Sequence, residues 1–318
     1  MLRIGFPIPM KENENRRAIL PEHIPTTGVA SYLVFETGYG NVMGIDDEEY
    51  HKVNAIVTER QEVCGCPIIC NPKPVATTDE YFSKGKVLFG WIHAVQGRQI
   101  TDALVENGMT AIAWEEMFER GRHCFWRNNE IAGEATILHS FLNLGRLPYQ
   151  CRVAVIGRGN VARGAIRMLE RLGCAITVYD KKTSPLLREE IDNFDVIVNA
   201  VLWDVFRKDH LIYEEDLAKM KRDAMIIDIS CDEGMGVQSS HPTSIAKPIY
   251  MHKGVLHYAV ENSPSLVYRS ASRAISAAVF PFLSDLANET HNDVLDGATI
   301  VRYGKILDEK IRRFQNRV

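Results

Sequence analysis

The sequence predicts an α/β protein of two doubly wound domains, with a cleft between them and two long helices bridging it. Three observations carry this prediction. The chain has 318 residues, more than one hydrophobic core usually serves. A glycine-rich strand, turn and helix signature begins only at Val153, which leaves room for a whole domain ahead of it. That leading part alternates short strand-like runs with helical patterns, the order that builds parallel sheets covered by helices.

The strands of the leading domain are read from "LRIGFPI", "SYLVFE", "AIVT", "PIICNP", "KVLFGWI" and "TAIAWEE", with helical spacing between them, as from Ile100 to Glu106. "NEIAGEATILHSFLNL", Asn129 to Leu144, reads as one long helix carrying small residues and running into the signature strand. Beyond the signature, "VIVNAV", "AMIIDIS" and "PIYMHKGVLHYAV" extend a second sheet. Ser272 to Ala287 reads as the second long helix. The polar segment after it ends in "ILDEKIRRFQ", with apolar residues at helical spacing, and is expected to return to the first domain. The boundaries expected are residues 1–130 with 275–318 for substrate, and 131–274 for a dinucleotide.

Hydrophobic residues make up 46% and charged residues 25% of the chain, ordinary for a globular enzyme. A net charge of −4 gives no footprint for nucleic acid. No apolar run approaches the roughly 20 residues of a membrane helix. The opening "MLRIGFPIPMKENENRR" reads as a strand and a charged loop, without the long apolar region of a secretion signal. Seven scattered cysteines, an odd number, fit a reducing cytoplasm better than a disulfide framework. The tightest group, Cys64, Cys66 and Cys70, lacks a second paired cluster and reads as small buried residues, so no metal is expected.

The signature itself reads "VAVIGRGNVARGAIRMLERLGCAITVYDKK". Val153 to Ile156 is a strand, Gly157 permits a sharp turn, and Gly159 lets backbone N–H groups approach a pyrophosphate. Arg158, Asn160 and Val161 complete the turn, and Ala162 is small enough for helix to pack on strand. A second strand, Ala175 to Tyr179, delivers Asp180 about 20 residues past the first glycine, where a ribose-binding acid belongs. These elements in register predict a Rossmann-like dinucleotide site. Asp180 argues for NAD(H), since a carboxylate bridges the ribose hydroxyls and repels a 2′-phosphate. Arg158, Lys181 and Lys182 argue for NADP(H), as donors to that phosphate.

Several stretches occur in an order that resembles the alanine dehydrogenase and transhydrogenase family over nearly the whole chain. They are "ENRRAILP", "ETGYGNVMGIDDEEY", a lysine beside proline at Lys73, "LFGWIHA", "TDAL", "AIAWEE", "NEIAGEA", the glycine signature and "HYAVENSPSLVYRSAS". The short length, "GRGNVARGA" and "DEGMGVQSSHPT" resemble most the carboxyethylornithine-forming branch, with alanine and saccharopine dehydrogenases as further relatives. That branch reductively condenses pyruvate with the side-chain amine of ornithine or lysine and uses NADPH, so the resemblance implies NADP(H) in preference to NAD(H). It also implies an opine-type oxidoreductase acting on a keto acid and an amino acid, as a homo-oligomer. A non-catalytic nucleotide-binding protein is the alternative of another class.

By the same resemblance Arg16 grips the keto-acid carboxylate, for which a planar guanidinium fork is suited. Lys73 contacts the substrate carbonyl or assists proton transfer. Alanine dehydrogenases usually show lysine, glutamate and proline there, whereas this chain reads "NPKP". His93 follows an apolar strand and serves as acid–base group. Asp232 lies near the nicotinamide ribose or the substrate, and Asn262 against the nicotinamide. Arg17 is left open, while Asp228, His252 and His257 read as structural; His241 does so too, unless it borders the cleft.

Overall fold

The computed structural model describes residues 1–25, 28–180 and 182–317. The chain forms two compact units, Met1–Trp126 with Tyr268–Val318, and Arg127–Val267. It passes between them at the first turns of helices Trp126–Leu144 and Tyr268–Val279. Among the described residues no helix is long and apolar enough to cross a membrane.

Numbered along the chain, the strands are β1 (Ile4–Phe6), β2 (Leu33–Glu36), β3 (Ile56–Thr58), β4 (Ile68–Cys70), β5 (Val87–Gly90), β6 (Thr110–Ala113), β7 (Phe118–Glu119) and β8 (Arg122–His123). Then follow β9 (Arg152–Ile156), β10 (Ala175–Tyr179), β11 (Val196–Asn199), β12 (Met225–Asp228), β13 (Ile249–His252), β14 (Val255–Tyr258), β15 (Thr299–Arg302) and β16 (Lys305–Ile306).

In the first unit β1 to β6 are parallel, in the order β6-β5-β4-β1-β2-β3, extended at the β6 edge by β15 and β16. The chain winds outward from β1 in one direction and then from β4 in the other, so β1 and β4 flank the topological switch point. Ligands of open α/β sheets bind at such points, outside the carboxyl ends of the strands. The second unit has the order β10-β9-β11-β12-β14-β13, parallel except for β13, with its switch point between β9 and β11. Central strands such as β11 and β12 are buried along their whole length, which explains why they read as unbroken apolar runs and not as alternating ones.

All six strands read in the leading domain are present, and β9 and β10 stand where the signature places them. Three features depart from the reading. "PIYMHKGVLHYAV" is two antiparallel strands, not one. A hairpin of β15 and β16 occupies the C-terminal segment, antiparallel to β6, so the sheet is mixed. Both hairpins, and that of β7 and β8, turn on a residue followed by glycine, both left-handed: Lys253-Gly254 at φ 47° and 78°, Tyr303-Gly304 at 49° and 76°, Arg120-Gly121 at 48° and 77°. This is the turn whose twist matches that of paired strands. Finally, Ser272–Ala287 is not continuous. The helix ends at Val279, a tight turn spans Phe280–Phe282, and a new helix runs Leu283–Asn288. Pro281 lacks the N–H that would continue the ladder.

Candidate active site

In the first unit, charged residues gather on the loops that leave the carboxyl ends of adjacent parallel strands. Glu14 and Arg16 follow β1, Lys73 follows β4, His93 follows β5 and Glu115 follows β6. Arg16 is 4% exposed, so it is not a solvated loop arginine. Its Nε donates to Glu14 Oε1 at 2.7 Å and its Nη2 to Glu14 Oε2 at 2.5 Å, and its guanidinium lies 5.0 Å from the Trp91 ring centre. Glu14 thus occupies one edge of the guanidinium. Nη1 makes no hydrogen bond among the described residues, so the end of the fork is left for an anion. Burial opposes charge on Glu14, but Arg16 and then Lys73 hold its carboxyl below the usual value. Arg17, also buried, donates to the backbone carbonyls of Tyr39 and Arg16 and is structural.

Lys73 is partly buried, on a loop seated by a polar chain. Its backbone N–H donates to Asn71 Oδ1 at 3.0 Å, Asn71 Nδ2 donates to the Tyr81 hydroxyl at 2.8 Å, and that hydroxyl donates to Asp79 Oδ2 at 2.5 Å. Gly90 permits this seat, because a Cβ there would stand 2.0 Å from the Asn71 carbonyl oxygen. Solvent reaches His93, whose backbone is left-handed at φ 49°. The Lys73 charge, desolvation in the recess, and the charges of Arg16 and Lys11 push its imidazole well below its ordinary value. At neutral pH the ring is therefore neutral, without the proton charge that those cations disfavour. Glu115 Oε1 accepts from the His93 N–H at 2.5 Å and Oε2 from the Ile92 N–H at 3.2 Å. Burial pushes the Glu115 carboxyl up to about 7, against the lowering effect of those N–H groups and of Lys73.

In the second unit the glycine turn has the shape expected of a phosphate seat. Gly157 has φ +122°, and a Cβ there would lie 2.8 Å from the Ala200 carbonyl oxygen at the end of β11, whereas Gly159 faces open space. Helix Asn160–Arg171 begins after Gly159 with no side-chain cap, and its first N–H groups suit an anion. Val161 is partly buried; the Asn160 side chain accepts from Arg163. Asn262, after β14, is buried with its Nδ2 unpartnered among the described residues, a donor that suits a carboxamide oxygen. These features fit a dinucleotide. Asp180 closes its own turn: Oδ1 accepts from the Lys182 N–H at 2.9 Å, the Thr183 N–H at 3.2 Å and the Thr183 hydroxyl at 3.1 Å, while Oδ2 takes Arg158 Nε at 3.2 Å. The backbone N–H groups of Lys182 and Thr183 hold its carboxyl below the usual value. Lys181 lies outside the described residues.

Asp232 is partly buried on the loop after β12. Asp228 is buried and accepts from Asn199 Nδ2 at 2.9 Å. His241 is exposed and stacked on Tyr250, His252 pairs with Glu214, and buried His257 bonds Ser239. Cys64, Cys66 and Cys70 are buried. Glu14 and Glu115, together with the Asn71, Tyr81 and Asp79 chain, hold the candidate residues in place, and the sequence did not single them out. Their signal was position, since each stands on or beside a loop at the carboxyl end of a strand.

Residues 6–125 match the family described as alanine dehydrogenase/PNT, N-terminal domain, and residues 181–309 the alanine dehydrogenase/PNT, C-terminal domain. An N(5)-(carboxyethyl)ornithine synthase of Clostridium botulinum is 32% identical over 312 residues, covering 92% of this chain and 98% of the relative. An alanine dehydrogenase of Bacillus subtilis is 29% identical over 339 residues, covering 95% and 90%. A solved L-alanine dehydrogenase superposes with a TM-score of 0.83 at 24% identity, covering 99% of each chain. That likeness shows the fold.

Proposed function

The chain belongs to the alanine dehydrogenase/PNT family of NAD(P)-dependent oxidoreductases, and from that premise we propose that it condenses pyruvate with the side-chain amine of ornithine or lysine, using NADPH. The observation that carries this reading is the cluster of two cations, Arg16 and Lys73, with the neutral imidazole of His93 on the strand ends of the first unit. Arg16, its other edge held by Glu14, receives the keto-acid carboxylate on the end of its fork. Such charge-assisted pairing fixes orientation as well as affinity. Lys73 is assigned to the keto oxygen, which its charge polarises.

The amine must be deprotonated to add to the carbonyl. Neutral His93 takes that proton, the freed amine adds to the carbonyl, and His93 returns the proton to the carbinolamine hydroxyl so that water leaves and a protonated iminium remains. A bound nicotinamide would supply the hydride to the iminium carbon, which gives the secondary amine. Asp232 is assigned to the reacting end of the second unit, and Asn262 Nδ2 to the carboxamide. Holding amine and carbonyl together in near-attack geometry is the main contribution of the loops.

The preference for NADPH is supported by Asp180, whose oxygens are all engaged by its turn and by Arg158, which places a guanidinium and not a bare carboxylate beside the second strand. Seven free thiols support a reducing cytoplasm. The Bacillus subtilis relative favours a second reading, reduction of pyruvate with ammonia to alanine using NADH. Incubation with pyruvate and either reduced cofactor, with ammonium, ornithine or lysine in turn, separates the two by which amine drives cofactor oxidation and by product mass. Turnover with ammonium alone would leave the second reading, and NADPH binding without turnover a non-catalytic one.

A further inference from the structure

We infer that Glu115 is the positioning residue of His93: by bridging two successive backbone N–H groups it fixes the left-handed turn that aims the imidazole. The inference rests on the reading of His93 as the proton-transfer group.

A left-handed backbone is disfavoured for any residue with a Cβ, and such conformations persist where the surroundings over-determine them. His93 has φ 49°. Its ring nitrogens make no hydrogen bond among the described residues, so no partner of the ring itself sets its place. The backbone is instead clamped on both sides. Ahead of it, the Glu115 carboxylate accepts from the Ile92 and His93 N–H groups at 3.2 and 2.5 Å. Behind it, the His93 carbonyl accepts from the Gly97 N–H at 3.0 Å. Gly97 is needed there, since a Cβ would stand 2.7 Å from that carbonyl oxygen.

Glu115 is itself anchored. β6, which delivers it, is paired with β5, which delivers His93, up to the partners Gly90 and Ala113. Its neighbour Trp114 is fully buried, stacked on Phe125 with ring centres 4.7 Å apart and edge-on to Trp91 at 4.8 Å. The Lys73 charge reaches both Glu115 and His93. The carboxylate therefore ties the loop after β5 to a rigid aromatic floor, and the imidazole inherits that rigidity.

The test uses Glu115→Gln, Glu115→Asp, His93→Ala and the Glu115→Gln/His93→Ala pair. Glutamine leaves one acceptor oxygen and turns an NH2 group against a backbone donor; aspartate keeps both carboxyl oxygens but reaches less far. Turnover is measured with saturating NADPH and the amine that the wild type uses. The expected result is a kcat loss of about 10- to 100-fold for Glu115→Gln, with KM for pyruvate changed by no more than about twofold. In the His93→Ala background the same change should add nothing. The His93 Cε1–Hε1 NMR resonance, identified by its loss in His93→Ala, should shift or broaden in Glu115→Gln and, to a smaller degree, in Glu115→Asp. Equal losses with and without His93, an increase in KM alone, unchanged kcat, or an unmoved resonance would each overturn the inference. Should Glu115→Gln not fold, Glu115→Asp with the resonance decides. If the wild type turns over no amine, the functional reading fails, and the resonance still decides the positioning.

Discussion

The helix that carries the glycine turn crosses helix Trp126–Leu144 in backbone contact, which makes Gly164→Ala a sharp perturbation. A Cβ at Gly164 would lie 1.9 Å from the Glu130 carbonyl oxygen, where ordinary contact begins at 3.4 Å, so the backbones must part by about 1.5 Å. The facing helix offers no slack, because a Cβ on Gly133 would already meet the Val161 carbonyl oxygen at 2.1 Å. Arg167 also spans the crossing, to Glu130 at 2.9 Å and Glu134 at 3.0 Å. Overpacking of this kind costs about 1–3 kcal/mol or more, and alanine recovers up to about 1 kcal/mol of helix propensity. The expected net loss is about 2 kcal/mol in urea denaturation. Because the displaced helix begins at Asn160, right after the glycine turn, the NADPH Kd should rise about tenfold as one charge-assisted contact is lost. Gly65→Ala is the control: nothing lies within 4 Å of its Cβ, and it should be neutral. If Gly164→Ala matches the wild type in both stability and NADPH affinity, the close crossing does not hold the turn.

Three further outcomes are expected. Arg16→Lys should raise KM for pyruvate at least about tenfold, because an ammonium cannot pair with Glu14 and also present a fork, while NADPH binding stays unchanged; an unaltered KM refutes the carboxylate seat. Arg158→Ser should lower the preference for NADPH over NADH measured as a ratio of kcat/KM, and an unchanged ratio shows that the 2′-phosphate is read elsewhere. The Glu115 carboxyl, raised by burial from its ordinary 4.5 to about 7, binds its proton more tightly in the folded state. Stability from this group is fully present below about 4.5 and is lost as pH rises through about 7. Glu115→Gln should flatten that decline in pH-dependent denaturation, and a wild-type slope retained by the variant would refute it.

The site was legible where one strong rule applied. Loops at the carboxyl ends of parallel strands are where open α/β sheets take ligands, and that rule, with the family motifs, singled out Arg16, Lys73 and His93 as candidates. It did not separate Glu115 from Glu116, adjacent acids after β6: one bonds the His93 backbone, while the other pairs with Lys310 at 3.1 Å. Only the direction of the turn decides between them. Glu14 was hidden in a charged loop, because its partner two residues on is fixed by burial and not by periodicity. Asn71, Tyr81 and Asp79 form a seat through tertiary packing that no spacing announces. The hairpins at Lys253-Gly254 and Tyr303-Gly304 did carry a local signal, a residue before glycine between strand-like runs. It was masked by reading the first as one long strand and the second as polar tail. Gly133 and Gly164 read only as small residues, since the identity of a helix's neighbour is not written in its own pattern.

The central claim is that the cationic cluster of the first unit joins pyruvate to the side-chain amine of an amino acid. Mass analysis of the product formed from pyruvate and NADPH, with ornithine, lysine or ammonium offered separately, tests it most directly. The account predicts an N-carboxyethyl amino acid from ornithine or lysine, formed one for one with NADPH oxidised. Alanine from ammonium, with no adduct from either diamine, would contradict it.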